Sequence, residues 1–232
     1  MELIHLLFVE DDRDYRLIIK ECLEMTGKYK VYEAKNGYEG LEAFNKLPID
    51  IIVTDIDMPK LSGLEMVDLI RKMNPDIPII VASGMTNPEN VKTGFEHDID
   101  SYIKKPFTHD ELDGVVKALF KRIKKNNQMV TEGNKIFPLG AYLFDTENRC
   151  LNLRGKITPL SRREAQILFV LYENRGKVVK RSVLLQQFWG SEDDPYHTRS
   201  LDVFITKLRN YLKDDKSIKI STLRSEGLRM DF

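Results

Sequence analysis

Residues 51–63 read IIVTDIDMPKLSG. A β-branched apolar run stops at Asp55, a second aspartate follows at Asp57, and Pro59 and Gly63 close the segment before a helix-periodic stretch begins at Leu64. A short apolar run bounded by turn residues reads as a strand buried on both faces, and such strands belong to parallel sheets covered by helices. The stretch also poses a chemical question: which of two carboxylates two positions apart reacts, and what the other is for.

Outward from it the alternation repeats. LIHLLFV (3–9), YKVYEA (29–34), IPIIVAS (77–83) and SYIKK (101–105) read as further strands. Residues 12–25 carry Tyr15, Ile18, Ile19, Cys22 and Leu23 at helical spacing, and 40–47, 64–73, 88–95 and 110–125 follow the same period less cleanly. Strand then helix, repeated, predicts an α/β domain with a parallel sheet and helices on both faces. Ligands of such sheets sit beyond the carboxyl ends of the strands, where strand order reverses. Those ends carry Glu10, Asp11 and Asp12; Ala34 and Lys35; Asp55 to Asp57; Ser83 and Gly84; and Lys104, Lys105 and Pro106. Any one of these is an ordinary solvated loop residue; acids, a Ser-Gly and a Lys-Pro gathered on one rim make a site. If the first and third strands are neighbours, Asp11 and Asp55 lie side by side, and carboxylates so placed repel unless a cation joins them. Mg²⁺ suits them, since it takes one or two carboxylates, waters and a phosphate oxygen. Lys105 and a hydroxyl at Ser83 could then hold the other oxygens of a phosphoryl group.

The chain has 232 residues, enough for two domains each with its own core. No apolar run approaches the roughly 20 residues that span a bilayer, and the N-terminal MELIHLLFVEDD lacks a basic leader, so a cytoplasmic protein with no membrane partner is expected. Cys22 and Cys150 have no metal-spaced partner, and His5, His97, His109 and His197 are scattered, so two reduced packing thiols are expected. The zero net charge conceals an asymmetry: through Lys125 there are 18 Lys and Arg against 23 Asp and Glu, a balance of −5, and beyond it 18 against 13, a balance of +5. An acidic half suits a metal or basic partners and a basic half suits phosphate backbones.

After Lys125 the pattern changes. Residues 125–133 are polar and aperiodic and read as a linker between domains at 1–124 and 134–232. Short alternating pieces follow, then a helix opened by Ser161 and Glu164 as a capping box and stopped at Gly176, a second ending at Gly190, and a third over 198–212. The third keeps Leu201, Phe204, Ile205, Leu208 and Leu212 on one face and Arg199, Thr206, Lys207 and Arg209 on another. Three helices, the last basic, followed by a hairpin bearing Thr222 and Arg224, predict an α+β winged helix-turn-helix: the third helix enters the major groove and the wing reaches the minor groove of double-stranded DNA.

FVEDD, VTDIDMP with Gly63 after it, VASG and YIKKPF resemble the receiver domain of bacterial two-component response regulators over 1–124. The resemblance implies a flavodoxin-like (βα)5 doubly wound sheet in which Asp55 takes a phosphoryl group from a cognate sensor histidine kinase. It further implies Mg²⁺ ligated by Asp11 and Asp55, supported by Glu10 through water and by the backbone carbonyl of Asp57. Lys105 would pair with a phosphoryl oxygen, Ser83 and Tyr102 would move on activation, and Pro106 would follow a cis bond. LSRREAQILFVLYENRGKVVKRSVLLQQFWG, RSLDVFITKLRNYL and TLRSEGLRMDF resemble the OmpR/PhoB-type effector domain. That likeness implies DNA contacts from Val203, Thr206, Lys207 and Arg209 on the helix and Thr222 and Arg224 on the wing, with Trp189 at a position either core or beside a phosphate. Implied partners are promoter DNA, RNA polymerase and a second copy of the chain, and no enzymatic activity beyond gain and loss of its own phosphoryl group. The chain departs from the family's charged dimer network: Asp100 and Glu111 match it, but Val91 and Val115 stand where bases belong and Ser101 replaces an acid. The wing turn carries Ser225 and Glu226, with Leu228 in place of an aromatic. Two rival readings follow: a constitutive dimeric DNA-binding regulator indifferent to phosphorylation, and a phosphotransfer module whose basic half docks a protein.

Overall fold

The computed structural model describes residues 3–84, 99–130, 135–190, 195–224 and 226–232, with backbone alone at 83, 125–130, 195 and 196. The helix expected over 88–95, Val91 and Ser225 lie outside these residues. The chain divides into two compact units, Met1–Leu119 and Phe120–Phe232.

In the first unit the apolar runs become β1 (Ile4–Val9), β2 (Tyr29–Ala34), β3 (Ile51–Asp55), β4 (Ile79–Ser83) and β5 (Ser101–Lys104). They form one flavodoxin-like parallel sheet in the order β2-β1-β3-β4-β5. Leu6, Leu7, Phe8, Val9, Ile51, Ile52 and Val53 are fully buried, each contributing about 1.5–3 kcal/mol of apolar burial. The helices are α1 (Arg13–Met25), α2 (Gly37–Lys46), α3 (Gly63–Met73) and α4 (His109–Val130). α2 starts at Gly37, three residues before its apolar period, because Asn36 caps it by accepting from the Glu39 N–H at 3.1 Å. α4 runs on through Val130 where periodicity placed an end at Lys125, and the division between the units falls within it. β1 and β3 are neighbours with Val9 opposite Thr54, so the residues after β1 lie beside the end of β3, at the point where strand order reverses.

The second unit opens with an antiparallel meander, β6 (Ile136–Leu139), β7 (Tyr142–Asp145), β8 (Cys150–Leu153) and β9 (Lys156–Pro159). Three helices follow, α5 (Arg162–Glu173), α6 (Arg181–Trp189) and α7 (Pro195–Tyr211), with β10 (Val178–Val179) between the first two. The hairpin β11 (Lys219–Leu223) and β12 (Gly227–Asp231) pairs with β10 in the order β10-β12-β11, completing a winged helix. The Ser161–Glu164 capping box is present, and Gly190 ends α6 at φ 79°, a left-handed conformation that suits glycine. Leu201, Phe204, Ile205, Leu208 and Leu212 are all buried, so the apolar face of α7 is the one its spacing predicted. Trp189 is buried at 3 % exposure against Phe188 and Phe204, with the Arg163 guanidinium 4.8 Å from its ring, which places it in the core. Cys22 and Cys150 are free thiols, both half-buried. Among the described residues no helix is long and apolar enough to cross a membrane.

Candidate functional site

Glu10, Asp11 and Asp55 each offer a carboxylate oxygen within 4.8 Å of the others, the set of acids among the described residues that could hold a metal ion. Glu10 is fully buried, Asp55 is 8 % exposed and Asp11 faces solvent, so the cluster opens outward through Asp11. Asp57 is exposed and stands outside the cluster. Lys105 reaches in from the residue after β5 and places its ammonium 2.7 Å from both Glu10 Oε2 and Asp55 Oδ2. Burial opposes the charge on Lys105, but its hydrogen bonds to Asp55 and Glu10 outweigh that and raise its pKa. Burial pushes the Glu10 carboxyl up, with the Asp55 charge adding to it, even though Lys105 pulls the other way. Three carboxylates against one ammonium leave negative charge uncompensated, and a donor set made of oxygens alone fits a hard divalent cation. The peptide bond Lys105–Pro106 is cis. Ser83 ends β4 opposite Lys104, its side chain outside the described atoms, and Tyr102 is half-buried in β5 opposite Val81.

Several supporting groups carry no mark in the sequence. Arg16 donates to the carbonyl of Glu10 at 2.5 Å and that of Asp11 at 3.5 Å, with Glu33 3.4 Å from its Nε, so the turn that presents the acids is pinned from α1. The Asp12 carboxylate caps α1 through the N–H groups of Asp14 and Tyr15 and therefore serves the helix. The Tyr15 hydroxyl donates to Phe107 O at 3.0 Å and accepts from Phe107 N–H at 3.2 Å, which fixes the segment after Lys105. Thr54 Oγ1 donates to the Asp55 carbonyl at 2.9 Å, and the Ile56 N–H donates to Asp55 Oδ1 at 2.6 Å, holding the Asp55 side chain in one orientation.

The two acids that match the dimer network are both engaged inside their own chain. Asp100 is 5 % exposed and pairs with Arg71 at 2.9 Å while accepting from the Ile79 N–H at 3.0 Å. Glu111 accepts from the Thr108 N–H at 2.7 Å and hydroxyl at 3.1 Å, capping α4. Asp100→Ala is therefore expected to destabilise the protein by about 3 kcal/mol in urea denaturation, because it removes the carboxylate paired with the largely buried Arg71 guanidinium and leaves the buried Ile79 N–H without its acceptor, and to leave the oligomeric state by light scattering unchanged. A change of oligomeric state without loss of stability would place Asp100 at an interface instead.

On α7, Thr206 and Arg209 are exposed, and Arg199, Val203 and Lys207 are half-buried; on the wing Thr222 and Arg224 are exposed. The Thr206 hydroxyl donates back to Asp202 O at 2.8 Å, and Lys207 lies 5.8 Å from the Phe204 ring. Asp202, an acid on this otherwise basic face, is paired with Arg181 at 2.8 Å. Two of the residues singled out for DNA are bonded to each other: Arg209 Nη2 donates to Thr222 Oγ1 at 2.8 Å, and its Nε to Ile220 O at 2.8 Å.

Residues 6–117 match the family described as response regulator receiver domain, and residues 155–230 match transcriptional regulatory protein, C terminal. The chain is 33% identical over 231 residues to the transcriptional regulatory protein RprY of Bacteroides fragilis, covering 99% of this chain and 95% of that one. It is likewise 33% identical over 227 residues to the transcriptional regulatory protein PrrA of Mycobacterium leprae, covering 97% and 95%. A solved structure of a RitR mutant superposes with a TM-score of 0.77 at 22% identity, covering 98% of this chain and 99% of that one, a likeness of fold.

Proposed function

Because the chain belongs to the OmpR/PhoB-type two-component response regulators, a receiver domain followed by a winged-helix DNA-binding domain, we propose that it is a transcription factor switched by phosphorylation of Asp55. The observation that carries the proposal is the Lys105 ammonium held 2.7 Å from both Asp55 and Glu10 where the strand order reverses. An Asp55 carboxylate oxygen attacks the phosphorus of a phosphohistidine on the cognate sensor kinase. The P–N bond breaks, its electron pair leaves with the imidazole nitrogen, and an acyl phosphate remains on Asp55. Lys105 then passes its hydrogen bond from the carboxylate to a phosphoryl oxygen. Asp11 and Asp55 would hold Mg²⁺ by side chain, Glu10 through water and Asp57 by its carbonyl; the ion supplies neutralisation of the carboxylates and of the phosphoryl oxygens. Ser83 and Tyr102 are the pair through which the modified state is read out.

The receiver spans 1–124, a linker 125–133 and the effector 134–232. Arg199, Val203, Thr206 and Lys207 face the major groove and Arg224 the minor groove, as phosphorylation shifts a pre-existing equilibrium toward a homodimer on tandem half-sites within reach of RNA polymerase. The protein works in the cytoplasm and has no catalytic role beyond gain and loss of its own phosphoryl group.

Full-length protein incubated with Mg²⁺ and a small acyl-phosphate donor is expected to gain one phosphoryl group, and none with EDTA. Its affinity for a duplex selected from a random-sequence pool should rise about tenfold, within the usual range of allosteric coupling. Equal affinity before and after would sink the switch and leave a constitutive dimeric regulator. Absence of duplex binding in either state would leave a phosphotransfer module that docks a protein.

A further inference from the structure

Arg209 is an exposed cation on the helix assigned to the major groove, and charge alone would make it a phosphate or guanine contact. Its guanidinium is instead turned onto the wing, where one edge spans the Ile220 carbonyl and the Thr222 hydroxyl, both at 2.8 Å. β11 is the outer strand of its sheet, so the Ile220 carbonyl has the Arg209 Nε as a partner supplied from another element. Tyr211 ends the helix just beyond, and the return to β11 passes through a loop in which Asp215 is tied to Ser217 and to the Ala141 N–H. The loop is thus anchored to the β6–β7 turn, and the wing above it is fastened to the helix through Arg209.

We propose that Arg209 is a positioning residue for DNA recognition, a strap that fixes the distance and angle between α7 and the wing so that Lys207 and Arg224 can meet adjacent grooves together. The inference rests on the DNA-binding reading above. The chemistry favours arginine: a planar fork of donors spans a carbonyl and a hydroxyl, whereas a lysine ammonium is a point charge that serves one of them. A direct phosphate contact would tolerate lysine; a strap does not.

The test uses the full-length protein and a duplex selected with it from a random-sequence pool, titrated over a range of salt concentrations. Arg209→Lys keeps the charge and should weaken binding about tenfold, the loss expected for one charge-assisted hydrogen bond. The slope of log K against log salt should stay as in the parent, because no phosphate contact is removed. Thr222→Val, at an exposed position that leaves folding intact, should weaken binding to a similar degree, and the double variant no further than the weaker single one. Footprinting should lose the protection left by the wing while keeping that of the helix. Lys207→Ala serves as the contrast, lowering the salt slope by about one. If Lys207→Ala and Arg224→Ala leave binding unchanged, the DNA-binding reading itself fails. If they weaken binding but Arg209→Lys binds like the parent, or the losses at Arg209 and Thr222 simply add, the strap is overturned and Arg209 is a direct contact.

Discussion

Asp55→Asn is expected to abolish phosphoryl uptake outright, and Asp57→Asn to leave it within a few-fold of the parent. The two residues are two positions apart and chemically identical, so the contrast isolates geometry. Asp55 is buried at the end of β3, and one of its oxygens is fixed by the Ile56 N–H at 2.6 Å. The other lies 2.7 Å from the Lys105 ammonium, beside Glu10 and Asp11. An amide at this position has no anionic oxygen to attack phosphorus and forms no acyl phosphate; it also removes one of the charges that a divalent cation would neutralise. The Asp57 side chain is exposed and outside the carboxylate cluster, so its loss takes away surface charge and spares the carbonyl assigned to Mg²⁺. Intact-mass spectrometry after incubation with Mg²⁺ and a small acyl-phosphate donor reads both outcomes. A phosphoryl group retained by Asp55→Asn would place the acceptor elsewhere, and equal loss in Asp57→Asn would make its carboxylate a direct metal ligand.

The rim of acids is legible in the amino-acid pattern because strand ends announce themselves: VEDD and VTDID are the points where apolar runs stop and carboxylates begin. What periodicity leaves conditional, whether β1 and β3 are neighbours, is a matter of strand order that local pattern does not encode, and the sheet order β2-β1-β3-β4-β5 decides it. The apolar face of α7 is equally legible, since five large residues at helical spacing have one way to be buried. Other features are hidden for physical reasons. β10 has two residues, too few to set a period, and owes its existence to pairing with β12. The extension of α4 through NNQMV has no apolar stripe to signal it. Asp100 looks like a surface acid because acids usually are, and the base that makes its burial tolerable, Arg71, is 29 residues away. Arg16 and Arg209 act through guanidinium orientation, a property of packing rather than of residue type.

Gly63→Ala is the second substitution expected to act strongly, and it links the packing of the fold to the acceptor site. A Cβ at Gly63 would fall well under 3.0 Å from the Asp55 carbonyl oxygen, and 2.8 Å from Thr54 Oγ1. The obstacle is therefore the backbone at the end of a buried central strand, where Asp55 is paired with Ala82 of β4 and the preceding Thr54 with both β1 and β4, which leaves little room to yield. Gly63 also donates its N–H to Ile56 O at 3.0 Å, and Gly37 donates to Leu61 O at 3.1 Å, so the loop carrying Asp57 is clamped against both α3 and α2. The cost should reach about 3 kcal/mol, at the upper end for overpacking. Gly27 is the informative contrast: it has φ +68° but open space where a Cβ would sit, so Gly27→Ala should cost only about 1 kcal/mol, from conformation alone. Urea denaturation of the full chain separates the two. Trp189 is the sole tryptophan and sits in the core of the second unit, so a midpoint lost in far-UV ellipticity but not in its fluorescence localises the damage to the first. Gly63→Ala should in addition lower phosphoryl uptake at urea concentrations where the first unit is still folded, because relieving the clash moves the Asp55 carbonyl and the carboxylate with it. Parent-like stability and uptake in Gly63→Ala would mean that the β3–α3 loop, and not the strand, gives way, and that Asp55 is held by its hydrogen bonds to Ile56 and Lys105 alone.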